Sequence, residues 1–288
     1  MLGLIAAGAS FGAWFRRPPK KLTDREKLLL KKQQEREREG VVKNTTDTTL
    51  ESVMAEFTLT NNSLRRMIAH MSDNMDRGLA YGLEGSTIAM LCSFVPDLPN
   101  GNERGRFVAM DLGGTNLRVM IMDIEPGLPM LTRQFNTRIP NWAMHGDGER
   151  LFDFIAKALA DFLIEKECAH DNLPVGFTFS YPCDQTGLRS ATLLRWTKGV
   201  TASGVVGEDV VRMLEEAIQR DGRCNVEIVA LINDTVGTMV AAAYEARGPC
   251  HVGVIIGTGT NASYMEQTKN IRYGLSNATE AYPFNQVT

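Results

Sequence analysis

From Phe107 to Leu112 and again from Leu117 to Ile124 the chain is apolar and rich in β-forming residues, with only Gly113, Gly114, Thr115 and Asn116 between the two runs. The pattern predicts a hairpin. His251 to Glu266 repeats it, with an apolar run, a turn of Gly257, Thr258, Gly259 and Thr260, then Asn261 and a return run. Leu64, Met67, Ile68, Met71, Met75 and Leu79 recur at helical spacing ahead of Gly82 and Gly85, and predict a helix whose methionines fill a core. Leu151, Phe154, Ile155, Ala158, Leu159 and Phe162 predict a second helix over Arg150 to Lys166, packed on the sheet that holds the first hairpin. Val175, Phe177 and Phe179 alternate with small residues until Pro182 stops the strand, which leaves Ser180 at its end. A helix from about Gly207 to Arg220, a buried strand from Val226 to Ile232 and an alanine-rich helix ending near Ala246 follow. Trp142 to Gly148 reads as a glycine-bearing loop.

Ahead of these elements the pattern changes. Met1 to Phe15 is apolar but too short to span a bilayer, and its basic residues Arg16 and Arg17 come after it, the reverse of a secretory signal. Pro18 and Pro19 interrupt the chain, and Lys21 to Glu39 predicts a solvated charged helix with Thr23 and Glu26 as its capping box. Two readings of residues 1–39 stand: a solvated tail, or an apolar tip and basic stem resting on a membrane surface. Val41 to Thr49 reads as a linker.

Composition narrows the picture. A chain of 288 residues with 43% hydrophobic content buries a real core and suggests two domains, or one and a fraction. A net charge of -3 gives no global pull toward nucleic acid. The five cysteines, Cys92, Cys168, Cys183, Cys224 and Cys250, are scattered and never form a Cys-x-x-Cys pair, which suits reduced thiols in a cytosolic protein. The four histidines show no metal-ligand spacing.

Candidate chemistry gathers at the turns and strand ends. The glycines of the Gly113–Asn116 turn remove side chains that would keep a phosphate from the backbone N–H groups, and Asp111 just before it is placed to hold magnesium directly or through water. An ordinary tight hairpin is the competing reading. Two similar turns about 140 residues apart suggest a duplicated architecture, each half offering one phosphate-facing hairpin to a shared cleft. Neither the P-loop pattern nor a three-glycine dinucleotide fingerprint occurs. Ser180 is either a turn residue or a ligand contact at a strand mouth. Thr197 and Lys198, side by side before Gly199, offer a hydroxyl and an ammonium to a polyhydroxylated or anionic ligand. Asp234 or Thr235 caps the last helix, or Asn233 and Asp234 stand at a strand mouth beside the positive helix end, where a carboxylate can accept a hydroxyl proton.

The ordered segments DLGGTN with LRV, FSYPC, WTKG, LINDTVGT and GTGTNA resemble the hexokinase family from about Thr58 to Glu266. The resemblance implies an actin-like, ribonuclease-H-like ATPase fold in which a small and a large domain close over sugar and ATP. It implies ATP-dependent phosphorylation of the 6-hydroxyl of glucose or a related hexose, the first step of glycolysis, with ATP and magnesium as cofactors. Carried over by matching segments, Asp234 is the general base, with Lys198 beside it in the catalytic set. Ser180, Thr197, Lys198, Asn233, Asp234 and Asn261 are sugar positions. Gly113, Gly114, Thr115, Asn116 and Arg118 form the first phosphate segment, Gly257, Thr258 and Gly259 the second, and Asp111 lies near magnesium.

After Glu266 the chain runs on to Thr288 without further likeness to the family. The expected division is a tail, charged helix and linker over 1–57, a nearly complete small domain over 58–233, the opening of a large domain over 234–266, and an unrelated tail over 267–288. On that division two glutamates of the family's sugar site and most of its adenosine pocket are missing, so activity is expected to be weak or lost. The second hairpin should also expose an apolar face and an unpaired edge, which favours aggregation or a partner. A non-catalytic sugar-binding or regulatory protein, self-associating or paired with a full-length enzyme, is the alternative. The expected location is the cytoplasm, with residues 1–39 as a candidate contact to the mitochondrial surface or another membrane.

Overall fold

The computed structural model describes residues 49–128, 130–257, 259–275 and 284–287. The predicted charged helix, the membrane-contact reading of residues 1–39 and the phosphate candidate Thr258 lie outside them.

Two helices come first, α1 (Leu50–Glu56) and α2 (Asn61–Tyr81). Thr60 caps α2, its hydroxyl accepting from the Ser63 N–H at 3.1 Å. The periodicity located this helix correctly, but of its methionines Met67 and Met71 fill no core: Leu64, Met67, Ile68 and Met71 are exposed. Spacing marks an apolar face without saying what covers it, and among the described residues only the helix's last turns are covered. There Leu79 and Met75 pack with Met90, Cys92, Ile271 and Leu275 in a small cluster of their own.

The main sheet is built on the hairpin. β1 (Gly105–Leu112) pairs antiparallel with β2 (Asn116–Ile124), which pairs antiparallel with β3 (Leu131–Arg138). A five-residue helix, α3 (Asn141–His145), occupies the stretch read as a loop; it is too short for periodicity to reveal. The long helix α4 (Gly148–Glu165) buries Leu151, Phe152, Ile155, Leu159 and Leu163 against the sheet, as its spacing requires. β4 (Leu173–Phe179) then enters parallel to β1, with Leu112 beside Phe179. A small hairpin of β5 (Cys183–Gly187) and β6 (Ser190–Leu193) leads to α5 (Val210–Asp221), which Asp209 caps. β7 (Val226–Ile232) closes the sheet parallel to β4, giving the order β3-β2-β1-β4-β7. Alternate residues of β1, β2 and β4 face the helices, so Val108, Met110, Leu112, Val119, Val175, Phe177 and Phe179 form one continuous core with α4 and α5.

α6 (Asp234–Ala246) begins two residues after β7 ends and lies on a second sheet. That sheet is antiparallel, ordered β10-β9-β8, from β8 (Val252–Ile256), β9 (Thr260–Gln267) and β10 (Phe284–Val287). Gly253 lets β8 cross the helix closely, since a β-carbon there would collide with the Thr235 carbonyl oxygen and the Met239 side chain. The other face of β8 shows the expected exposure: Val252, Val254 and Ile256 face outward, and among the described residues β8 is an edge strand.

Candidate active site

The C-terminal ends of β1, β4 and β7 sit side by side, because all three run parallel. Each carries a candidate residue at its end: Asp111 next to last in β1, Ser180 just past β4, and Asn233 just past β7. Ser180 is buried, and its N–H donates to the Leu112 carbonyl at 3.5 Å, joining the ends of β4 and β1.

Asn233, and not Asp234 or Thr235, caps α6. Its Oδ1 accepts from the Thr235 N–H at 3.0 Å and from the Thr235 hydroxyl at 2.7 Å. The same oxygen also accepts from Asn261 Nδ2 at 3.2 Å, and the buried Ser263 hydroxyl donates to the Thr235 carbonyl at 2.9 Å. These bonds stitch β9 to the first turn of the helix. Asp234 is therefore held at the helix's first position, where the macrodipole favours a negative charge.

Lys198 reaches it from the loop after β6, with Nζ 3.4 Å from Asp234 Oδ2. That loop is specially shaped. Lys198 has φ of 54° and Gly199 φ of 82°, so a residue with a β-carbon is held in the left-handed region at a cost of roughly 1 kcal/mol. The Trp196 indole N–H anchors the loop by donating to the Ala202 carbonyl at 2.7 Å.

The Gly113–Asn116 turn abuts this loop. A β-carbon on Gly114 would stand 2.8 Å from Lys198 Cβ, and the Tyr181 hydroxyl donates to the Gly113 carbonyl at 2.9 Å. Neither Gly113 nor Gly114 has a positive φ, so Gly114 is required here for the approach of Lys198 and not for a left-handed turn. Within the turn's hairpin Asp111 pairs with Arg118, whose Nη1 is 3.6 Å from Asp111 Oδ2. Burial pushes the Asp111 carboxyl above the usual aspartate value; Arg118 holds it down, Asp234 pushes it up, and Lys198 holds it down.

A cleft of about 610 Å³ opens over these strand ends. Ser180, Thr197, Lys198, Asn233, Asp234 and Asn261, all six of the sugar candidates, line it together, and Gly259 and Thr260 reach it from the second turn. Asp111, Gly113, Gly114, Thr115, Asn116 and Arg118 do not line it; their turn adjoins it where Gly114 meets Lys198 and Gly113 meets Tyr181. Gly257 does not line it, and its N–H donates to the Gly259 carbonyl at 3.0 Å. The remaining wall was not foreseen: Leu83, Thr87, Ile88, Ala89, Leu91 and Ser93 approach from the segment after α2. The segment carries no motif, and its hydroxyls, Ser86, Thr87 and Ser93, are the only signal it offers. Gln185, Arg195 and Tyr181 complete the polar lining.

The turn offers donors of the kind that suit phosphate oxygens. The N–H groups of Gly114 and Thr115 have no acceptor among the described residues, while the Thr115 and Asn116 carbonyls accept from Ile139 and Gly113. Asp111, a partly exposed carboxylate beside them, suits a hard cation that takes one or two carboxylates and phosphate oxygens.

The hexokinase family profile matches residues 49–244. A hexokinase from Brugia malayi is 70% identical over 238 residues, 83% of this chain and 42% of that protein. Hexokinase-3 of Rattus norvegicus is 44% identical over 77% of this chain and 24% of its own length. A hexokinase from Schistosoma mansoni, solved in complex with glucose, superposes with a TM-score of 0.75 at 39% identity, over 82% of this chain and 52% of that one. The chain thus spans less than half the length of the curated relatives it matches. The mixed sheet is that of the actin-like ATPase fold these structures share. From the profile match and the identity to these relatives, the chain belongs to the hexokinase family.

Proposed function

We propose that the cleft binds a hexose, glucose first among the candidates, together with ATP, and supports transfer of the γ-phosphoryl group to the sugar 6-hydroxyl. The observation that carries this reading is the Asp234 carboxylate, held at a helix N-terminus with Lys198 Nζ at 3.4 Å, in a cleft that Ser180, Thr197, Asn233 and Asn261 also line. The Schistosoma hexokinase complexed with glucose supports the choice of sugar.

In this account Thr197, Asn233 and Asn261 pair with the sugar hydroxyls, and an analogue lacking a hydroxyl leaves them unmatched. Asp234 accepts the proton of the 6-hydroxyl as its oxygen forms a bond to the γ-phosphorus; the bond from that phosphorus to the β–γ bridging oxygen breaks, and ADP leaves with the electron pair. Phosphoryl transfer is loose at its transition state, so an ordinary carboxylate serves as base and the protein's contribution is positioning and charge neutralisation. Lys198 supplies positive charge beside the reacting oxygen. The N–H groups of Gly114 and Thr115 and the Arg118 guanidinium face the phosphates, and Asp111 stands where magnesium would be held. Magnesium, when bound, neutralises charge on the β and γ oxygens.

The test is incubation of the purified chain with glucose, magnesium and γ-labelled ATP. Label on glucose 6-phosphate, and none with 6-deoxyglucose, is the expected outcome. Label released only as inorganic phosphate would sink the assignment.

A further inference from the structure

We infer that the Tyr181 hydroxyl is a positioning group for phosphate binding, setting the direction of the Gly114 N–H and tying the phosphate-facing turn to the loop that carries Lys198. The inference rests on the kinase reading of the cleft. It starts from the peptide between Gly113 and Gly114. A peptide unit is planar and trans, so its C=O and N–H point in opposite directions. The Tyr181 hydroxyl holds the Gly113 carbonyl at 2.9 Å, and the Gly114 N–H is thereby turned away from Tyr181, where no described residue accepts from it. With glycine on both sides, no β-carbon resists rotation of that peptide. The hydroxyl supplies the missing restraint.

The tyrosine itself is fixed. It is 3% exposed, its ring stands edge-on to Trp196 with centroids 4.8 Å apart, and it tilts against Phe179 at 4.9 Å. Lys198 Nζ lies 5.9 Å from the centre of the same ring. One side chain therefore touches the turn through its hydroxyl and the Trp196–Lys198 loop through its ring. A phenylalanine would keep every ring contact and lose only the bond to Gly113, which separates the positioning role from packing.

The experiment is Tyr181→Phe in the full chain, read in two ways. Exchange of the Gly113 N–H, which donates to the Asn116 carbonyl across the turn at 3.0 Å, should accelerate about threefold to tenfold, with β4 amides unchanged. The KM for ATP should rise by a similar factor while the KM for sugar stays within about twofold. Unchanged exchange at the turn overturns the inference, as does an equal loss of affinity for both substrates, which marks a merely structural residue. If the wild-type chain transfers no phosphoryl group, the kinase reading fails, and the exchange measurement still decides whether Tyr181 orders the turn.

Discussion

Lys198 Nζ and Asp234 Oδ2 stand 3.4 Å apart within the cleft, although 36 residues separate them in the chain. Both are partly buried, so the pair is less screened than a surface ion pair but still in reach of a ligand. A sugar hydroxyl entering between them would meet an acceptor and a cation together. Replacing Lys198 with methionine should therefore lower kcat roughly a hundredfold to a thousandfold, the usual range for losing one preorganised charge-stabilising group, with a smaller change in sugar affinity. Steady-state kinetics with sugar and ATP varied separately would check this. A K198M enzyme altered only in its sugar KM would assign Lys198 to sugar binding alone.

Gly114 is packed against Lys198, and that contact has its own test. An added β-carbon at Gly114 would lie 2.8 Å from Lys198 Cβ and 3.2 Å from its carbonyl oxygen, whereas one at Gly113 would meet only the Asn116 carbonyl at 3.5 Å. Gly114→Ala should cost about 1–3 kcal/mol of stability through overpacking and raise the KM for ATP, while Gly113→Ala should leave stability nearly unchanged. Urea unfolding of both variants gives the comparison. Equal stability losses would contradict the close approach.

The two asparagines at the cleft should separate by their effects on stability. Asn233 caps α6 and holds Asn261, so Asn233→Ala should cost about 1 kcal/mol and lower Tm by roughly 2–4 °C as well as weakening sugar binding. Asn261 is exposed and only braces the cap through its bond to the Asn233 oxygen at 3.2 Å, so Asn261→Ala should reduce sugar affinity about tenfold with a smaller change in Tm than Asn233→Ala. Calorimetric titration and thermal melts of the pair would decide.

Alkaline pH should destabilise the fold through its thiols. Burial pushes Cys183 up to about 12, with Asp209 and Asp184 adding to it, and pushes Cys92 up to about 11. In the unfolded chain a thiol titrates near 8.5. The folded state thus keeps protons that the unfolded state has lost, and stability falls as pH climbs from about 8.5 toward those values. The urea midpoint should be lower at pH 10 than at pH 8, and the drop should shrink in a Cys92→Ala, Cys183→Ala double variant. A midpoint that rises with pH would refute the reading. At pH 8 both thiols should resist iodoacetamide, while the half-buried Cys224 and Cys250 react faster.

Local pattern revealed local structure well. The alternation around Gly113–Asn116 gave the hairpin, and the spacing of Leu151, Ile155 and Leu159 gave both α4 and its buried face. In α2 the same kind of spacing located the helix but not its burial, because burial depends on what lies opposite. The cleft was visible only in pieces. Asn233 and Asp234 declared themselves by standing between a strand and a helix, yet nothing in their neighbourhood announces that Lys198, Ser180 and Asn261 converge on them; that convergence followed from the resemblance, and the geometry agrees with it. The wall from Leu83 to Ser93 and the Tyr181–Gly113 bond escaped both routes, since each is a contact between distant segments with no periodic or turn signature.

The most direct test of the account is the rate of hexose 6-phosphate formation by Asp234→Ala beside the wild-type chain, with sugar affinity measured on both. If Asp234 accepts the 6-hydroxyl proton, the variant loses at least a hundredfold in kcat, within the range for a general base, and keeps most of its sugar affinity. A variant that phosphorylates sugar at the wild-type rate, or that fails only because sugar no longer binds, would contradict the account.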